Sequence, residues 1–140
     1  MNASDQHGAA ILIVDDEPSI CWGFEKMLSR AGHEVVTASS AEDAIEIAGN
    51  RSIALTVIDV RLPGQSGLDV LPKLIELTGN APVIVMTAFG DLETAVAAVR
   101  GGAADYLTKP FCLEDARDAC DRSLRAYSKA KTSVDESEQD

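Results

Sequence analysis

The 140-residue chain predicts an α/β protein with a doubly wound, five-stranded parallel sheet and five helices. Two observations carry this. Five short, continuously apolar runs alternate with five segments of helical periodicity, as expected when helices cover both faces of a parallel sheet. The runs also end in polar, chemically active residues, and ligands of such folds gather outside the carboxyl ends of the strands.

The elements follow in order. Ile11-Leu12-Ile13-Val14 is the first strand run; Ile20, Phe24, Met27, Leu28 and Ala31 then recur at helical spacing, closed by Gly32. Val35-Val36-Thr37 is the second run. Ser40-Ala41-Glu42-Asp43 has the form of a capping box opening a helix that buries Ala44, Ile45 and Ala48. Leu55-Thr56-Val57-Ile58 is the third run. Leu68, Leu71, Leu74 and Ile75 make a helical stripe interrupted by Pro72, which predicts a kink or a late helix start. Val83-Ile84-Val85-Met86 is the fourth run, followed by a helix through Leu92, Ala95, Val96 and Val99 that ends at Gly101-Gly102. Tyr106-Leu107 is the fifth run. The last helix starts near Leu113 and places Ala116, Cys120, Leu124 and Tyr127 on one face. Residues 1–9 read as a flexible lead-in, 10–127 as one domain, and 128–140 as the helix end and a disordered acidic tail.

Composition narrows the function. Apolar residues make up 46% and charged residues 25%, which is globular rather than disordered. The formal net charge of −11 argues against direct nucleic-acid binding by this chain, since phosphate backbones repel it. No apolar run approaches the ~20 residues of a membrane span, and no signal peptide is visible. Cys21, Cys112 and Cys120 are scattered without metal-ligand spacing and read as reduced thiols of a cytoplasmic protein.

The chemistry lies at the strand ends: Asp15-Asp16-Glu17 after the first run, Asp59 after the third, Thr87 after the fourth and Lys109-Pro110 after the fifth. Each has a bland reading taken alone. Asp15, Asp16 or Thr87 could cap the next helix, Asp59 could form the turn before Leu62-Pro63-Gly64, and Lys109 could be a surface charge. Their shared edge points instead to one site. Clustered carboxylates call for a divalent cation, and an all-oxygen set suits Mg²⁺ (or Mn²⁺). Asp16 and Asp59 are expected as direct ligands, Asp15 through water, and the Arg61 backbone carbonyl as a further oxygen. Asp59 is then a nucleophile that accepts a phosphoryl group, stabilised by the metal, Lys109 and the Thr87 hydroxyl. The charge balance fits: three carboxylates oppose Mg²⁺ and Lys109, and phosphorylation shifts the sum only to about −1.

These residues resemble a known family. Val14-Asp15-Asp16-Glu17-Pro18, Asp59-Val60-Arg61-Leu62-Pro63-Gly64, Met86-Thr87-Ala88 and Leu107-Thr108-Lys109-Pro110-Phe111 are similar to the receiver domain of two-component response regulators, over about residues 10–127. The stretches Thr87–Asp91 and Ala104–Tyr106 look most like its NtrC-like branch. The resemblance implies a flavodoxin-like fold of strand order 2-1-3-4-5. It also implies Mg²⁺-dependent transfer from a sensor histidine kinase to Asp59, with the Ala88 backbone joining Thr87 and Lys109 around the phosphoryl oxygens. Thr87 and Tyr106 would be switch residues, and the Lys109–Pro110 peptide would be cis. A homodimer through the fourth helix, fifth strand and fifth helix would follow phosphorylation, and an attached or partner effector would control an output such as transcription. Four other readings stay in view: a stand-alone receiver, a degenerate receiver acting only by protein contacts, an Mg²⁺-dependent aspartate-based phosphatase, and a nucleotide or flavin binder. The phosphatase reading wants D-x-D after the first strand, where this chain has Asp15-Asp16-Glu17. The nucleotide reading wants a Gly-rich loop there.

Overall fold

The computed structural model describes residues 9–139, with side chains through 128. Five strands, β1 (Ala10–Val14), β2 (Val35–Ala38), β3 (Ile53–Asp59), β4 (Val83–Ala88) and β5 (Asp105–Lys109), alternate with α1 (Pro18–Arg30), α2 (Ala41–Asn50), α3 (Gly67–Leu77), α4 (Leu92–Arg100) and α5 (Leu113–Gln139). All strand pairs are parallel, in the order β2-β1-β3-β4-β5. This is the doubly wound, flavodoxin-like sheet that the alternating runs predict.

The sheet's two faces are sorted by residue parity, because successive side chains of a strand point to opposite sides. Leu12, Val14, Ile58 and Val85 pack with Ala44, Leu71, Leu74 and Ala98 on the side of α2, α3 and α4. Ile11, Ile13, Val57 and Met86 pack with Phe24, Leu28, Ala116 and Cys120 on the side of α1 and α5. Both faces of the central strands are buried, which is why their sequences are apolar without interruption.

The helix ends follow local chemistry. Ser40 caps α2, its Oγ accepting from the Asp43 amide at 3.1 Å, as the capping box predicts. Ser66 caps α3 by accepting from the Leu68 amide at 3.1 Å. Asp91 caps α4, taking hydrogen bonds from the Thr94 amide (3.1 Å) and hydroxyl (2.7 Å). Pro72 does not delay α3, which starts at Gly67; the Ser66 cap secures its first turn, and Pro72 falls inside the helix. Gly101 and Gly102 lie just past α4, where Gly102 takes a φ of +109°. A Cβ on Gly102 would stand 2.9 Å from Ile75 Cδ1 of α3, so the stop also permits close packing. The α5 backbone continues past Tyr127 to Gln139, and the expected lead-in lies, except for Ala9, outside the described residues. Among the described residues no helix is long and apolar enough to cross a membrane.

Candidate functional site

Strand parity brings the site together. Asp15 lies two residues beyond Ile13, Asp59 two beyond Val57 and Lys109 two beyond Leu107, so all three continue the α1/α5 face of the sheet past its carboxyl edge. There Lys109 Nζ donates to Asp15 Oδ2 at 2.7 Å, to Asp59 Oδ2 at 2.9 Å and to Glu17 Oε1 at 3.1 Å. Lys109 reaches these carboxylates from 50 to 94 positions away in sequence.

Backbone contacts fix the two central carboxylates. Asp15 Oδ1 accepts from the Glu17 amide at 2.9 Å, and Asp59 Oδ1 accepts from the Arg61 amide at 3.0 Å. Each is a local Asx-type turn that leaves the second oxygen for Lys109. Gly67 sets the depth of the loop after β3: its amide donates to the Val60 carbonyl at 2.9 Å, and a Cβ there would collide with the Asp59 carbonyl oxygen. The peptide between Lys109 and Pro110 is cis.

The electrostatics are one-sided. Asp15 and Asp59 are buried and Lys109 is largely so. Burial works against the Lys109 ammonium, but the hydrogen bonds from it to Asp15, Asp59 and Glu17 outweigh this and hold its pKa above the ordinary lysine value. Burial pushes Asp15 above the usual carboxylate value, against the hydrogen bond from Lys109. With that ammonium at 2.7 Å we take Asp15 as the anionic partner at neutral pH. One lysine therefore faces three carboxylates, a deficit of positive charge that a divalent cation would fill. One oxygen each from Asp15, Glu17 and Asp59 lies within 4.8 Å of the others, a hard-oxygen donor set suited to Mg²⁺ or Mn²⁺.

Glu17 is the member that sequence reasoning passed over as a site residue. It is exposed, and no periodicity marks it; its position beside the two aspartates was the only signal. Asp16, expected as a direct ligand, is exposed and stands outside this three-carboxylate group. It lines the neighbouring cleft with Asp15, Cys21 and Thr37. The helix-cap readings fall away, whereas Asp59 does form a local turn, to the Arg61 amide. Thr87 does not cap α4, because Asp91 does, and α1 begins at Pro18 without a side-chain cap from Asp15 or Asp16.

Thr87 follows Met86, the residue paired with Asp59 across β3 and β4. It is buried, and among the described residues its Oγ1 has no hydrogen-bond partner, an unusual condition for a hydroxyl. Its parity is that of Val83 and Val85, so it points to the α4 side of the sheet, the opposite side from Met86. Tyr106 pairs with Val85 and therefore shares that side, one step behind Thr87. Tyr106 is partly exposed. Ala88 ends β4 opposite Lys109, and the amide of the next residue, Phe89, donates to the Lys109 carbonyl at 3.0 Å. The three cysteines are free thiols.

Fold and pocket together define a doubly wound α/β protein with a lysine-bridged acidic site at its carboxyl edge. Residues 11–121 match the model of the response regulator receiver domain family. The chain is 37% identical over 115 residues to the DNA-binding transcriptional regulator NtrC of Klebsiella pneumoniae, covering 82% of this chain and 24% of that protein. The crystal structure of NtrX from Brucella abortus superimposes with a TM-score of 0.85 at 33% identity, over 91% of this chain and 29% of that one. The isolated NtrX receiver domain from the same organism gives 0.77 at 35% identity, over 82% and 98%. The chain belongs to the response regulator receiver domain family, and is an NtrC-like receiver of two-component systems. It spans about a quarter of the length of the NtrC proteins it matches.

Proposed function

We propose that Asp59 accepts a phosphoryl group from a sensor histidine kinase and that this chain switches conformation in response. The observation that carries the proposal is Lys109 Nζ held between Asp59 and Asp15, at 2.9 and 2.7 Å. An ammonium so placed pairs with a carboxylate before transfer and with a phosphoryl oxygen after it. Asp15 and Asp59 would hold Mg²⁺ (or Mn²⁺), with Glu17 or Asp16 and the Arg61 carbonyl as further oxygen donors. Such a cation would supply charge neutralisation of the carboxylates and of the phosphoryl oxygens. Asp59 Oδ attacks phosphorus, the P–N bond to the kinase histidine breaks, and the histidine leaves as imidazole. The acyl phosphate then meets Lys109, the Ala88 amide and the Thr87 hydroxyl.

The unpaired Thr87 hydroxyl supports a switch. Drawn toward a phosphoryl oxygen it gains a hydrogen bond, and its movement opens space on the α4 side, where Tyr106 stands behind it. We place the domain at residues 10–127, in the cytoplasm. Its output, such as transcription, lies in an attached or partner module. Phosphorylated copies pair through α4, β5 and α5, where Leu92, Val96 and Val99 are exposed. In this reading the site stores a phosphate rather than turning over external substrates.

A small phosphodonor with Mg²⁺ tests this. Intact-mass spectrometry should show one acid-stable, base-labile phosphoryl adduct on the wild type and none on Asp59→Asn. An adduct of equal yield on the variant would refute Asp59 as acceptor. Release of many phosphate equivalents per chain would instead indicate a phosphatase.

A further inference from the structure

Glu17 occupies the N-cap of α1, a position that favours the short side chains of Ser, Thr, Asp and Asn, yet its own side chain makes no capping hydrogen bond. Only its backbone serves the helix: the Glu17 carbonyl accepts from the Ile20 amide at 3.1 Å and from the Cys21 amide at 3.4 Å. The carboxylate turns the other way and accepts from Lys109 Nζ at 3.1 Å, across 92 positions of sequence. The chain thus forgoes a cap on α1 and places a third anion on one ammonium.

A lysine ammonium has three donors, and Asp15, Asp59 and Glu17 engage all of those of Lys109. The three carboxylates are not equivalent. Asp15 is buried, makes the shortest contact at 2.7 Å and is itself fixed by the Glu17 amide at 2.9 Å, so it orients the ammonium. Asp59 is the acceptor, whose contact with Lys109 a phosphoryl oxygen would replace. Glu17 makes the longest contact through a side chain that is 58% exposed, so it adds little to the placement of Lys109. One of its oxygens lies within 4.8 Å of an Asp59 oxygen, so its charge faces any phosphoryl group built there.

We propose that Glu17 is a positioning residue that restrains Lys109 in the unphosphorylated chain: its carboxylate competes with phosphoryl oxygens for the ammonium and so opposes phosphorylation. The proposal rests on the reading of Asp59 as acceptor. When Asp59 carries the group, the contact between Glu17 and Lys109 opens and the ammonium turns to a phosphoryl oxygen, still held by Asp15. Glu17 thereby commits its charge to the lysine rather than to a cation.

Beryllofluoride titrated into the full chain at saturating Mg²⁺, read by fluorine NMR of the bound species, tests this. Glu17→Gln keeps the backbone contacts and removes the charge; it should bind beryllofluoride about threefold more tightly than the wild type, the size of one partly exposed ion pair. Glu17→Ser, which can cap α1, should also bind more tightly and be no less stable in urea. Glu25→Gln removes an equal charge from α1, on a residue that lines the neighbouring cleft and makes no contact with Lys109, and should bind as the wild type does. In side-chain ammonium spectra without beryllofluoride, the Lys109 nitrogen resonance should shift in Glu17→Gln and stay in place in Glu25→Gln. Unchanged or weaker binding by Glu17→Gln, or an equal gain in Glu25→Gln, would overturn the proposal. So would a rise of about tenfold in the Mg²⁺ midpoint of Glu17→Gln, which would make Glu17 a cation ligand. Failure of the wild type itself to bind beryllofluoride would overturn the reading of Asp59, and the proposal with it.

Discussion

Helices α3 and α4 flank the same face of the sheet, but the chain holds them very differently. α3 buries Val70, Leu71 and Leu74 and is tied at its start to the Asp59 loop through Gly67. α4 buries only Ala95 and Ala98, while Leu92, Val96 and Val99 are 68%, 41% and 50% exposed. Apolar burial contributes ~25 cal/mol per Å², so two alanines anchor α4 far more weakly than three branched residues anchor α3. The difference assigns roles. In the proposed switch, α3 is scaffold for Asp59 and α4 is the element that moves with Thr87 and Tyr106. Low local stability is what a switch element requires.

Substitutions can break this comparison, and the largest effect belongs to the scaffold. Leu74→Ala should cost about 3 kcal/mol in urea denaturation, against under about 0.5 kcal/mol for Val99→Ala. Equal losses would mean that α4 is as firmly anchored as α3. Lys109→Met should cost about 2–3 kcal/mol, because it leaves three carboxylates without their cation; millimolar Mg²⁺ should restore part of the loss, and the same Mg²⁺ should stabilise Asp59→Asn less than wild type. Gly67→Ala should cost about 1–3 kcal/mol through the clash with the Asp59 backbone, and should also slow phosphorylation.

The smallest effect is an acid-dependent loosening of α4. The hydrogen bonds from the Thr94 hydroxyl and amide hold the Asp91 carboxyl below its ordinary value. A depressed carboxylate gives stability that is present above the unfolded pKa, ordinarily 3.8, and lost as pH falls through the lower folded value. The first turn of α4 should therefore lose helical carbon chemical shifts as pH falls below about 4, before the Ser66-capped first turn of α3, whose hydroxyl does not titrate there. Simultaneous loss in both helices would indicate global unfolding instead.

Much of this was legible in the sequence because the signals were local. Continuous apolar runs gave the strands, and Ser40 three residues before Asp43 gave a cap. The carboxyl-edge rule placed Asp15, Asp59 and Lys109 together before any coordinates, and Lys109 does bridge the two aspartates. What escaped was relational. Glu17 and Asp16 are adjacent acids, and only the reach of Lys109 from 92 residues away distinguishes them. The sides to which Thr87 and Tyr106 point depend on strand register, which no short window contains. The late start that Pro72 suggested does not occur, because the Ser66 cap secures the first turn of α3. The exposure of Trp22 could not be read at all, for its neighbours in α1 are apolar on both sides of it.

The most direct test of the account measures amide hydrogen exchange in α3 and α4 with and without beryllofluoride and Mg²⁺, in wild type and Asp59→Asn. Beryllofluoride stands in for the phosphoryl group on a carboxylate. The account predicts that α4 exchanges faster than α3 in the free wild type, that the ligand changes protection in α4 while leaving α3 nearly as it was, and that Asp59→Asn shows no change. Equal protection of the two helices in both states, or an undiminished response in Asp59→Asn, would contradict it.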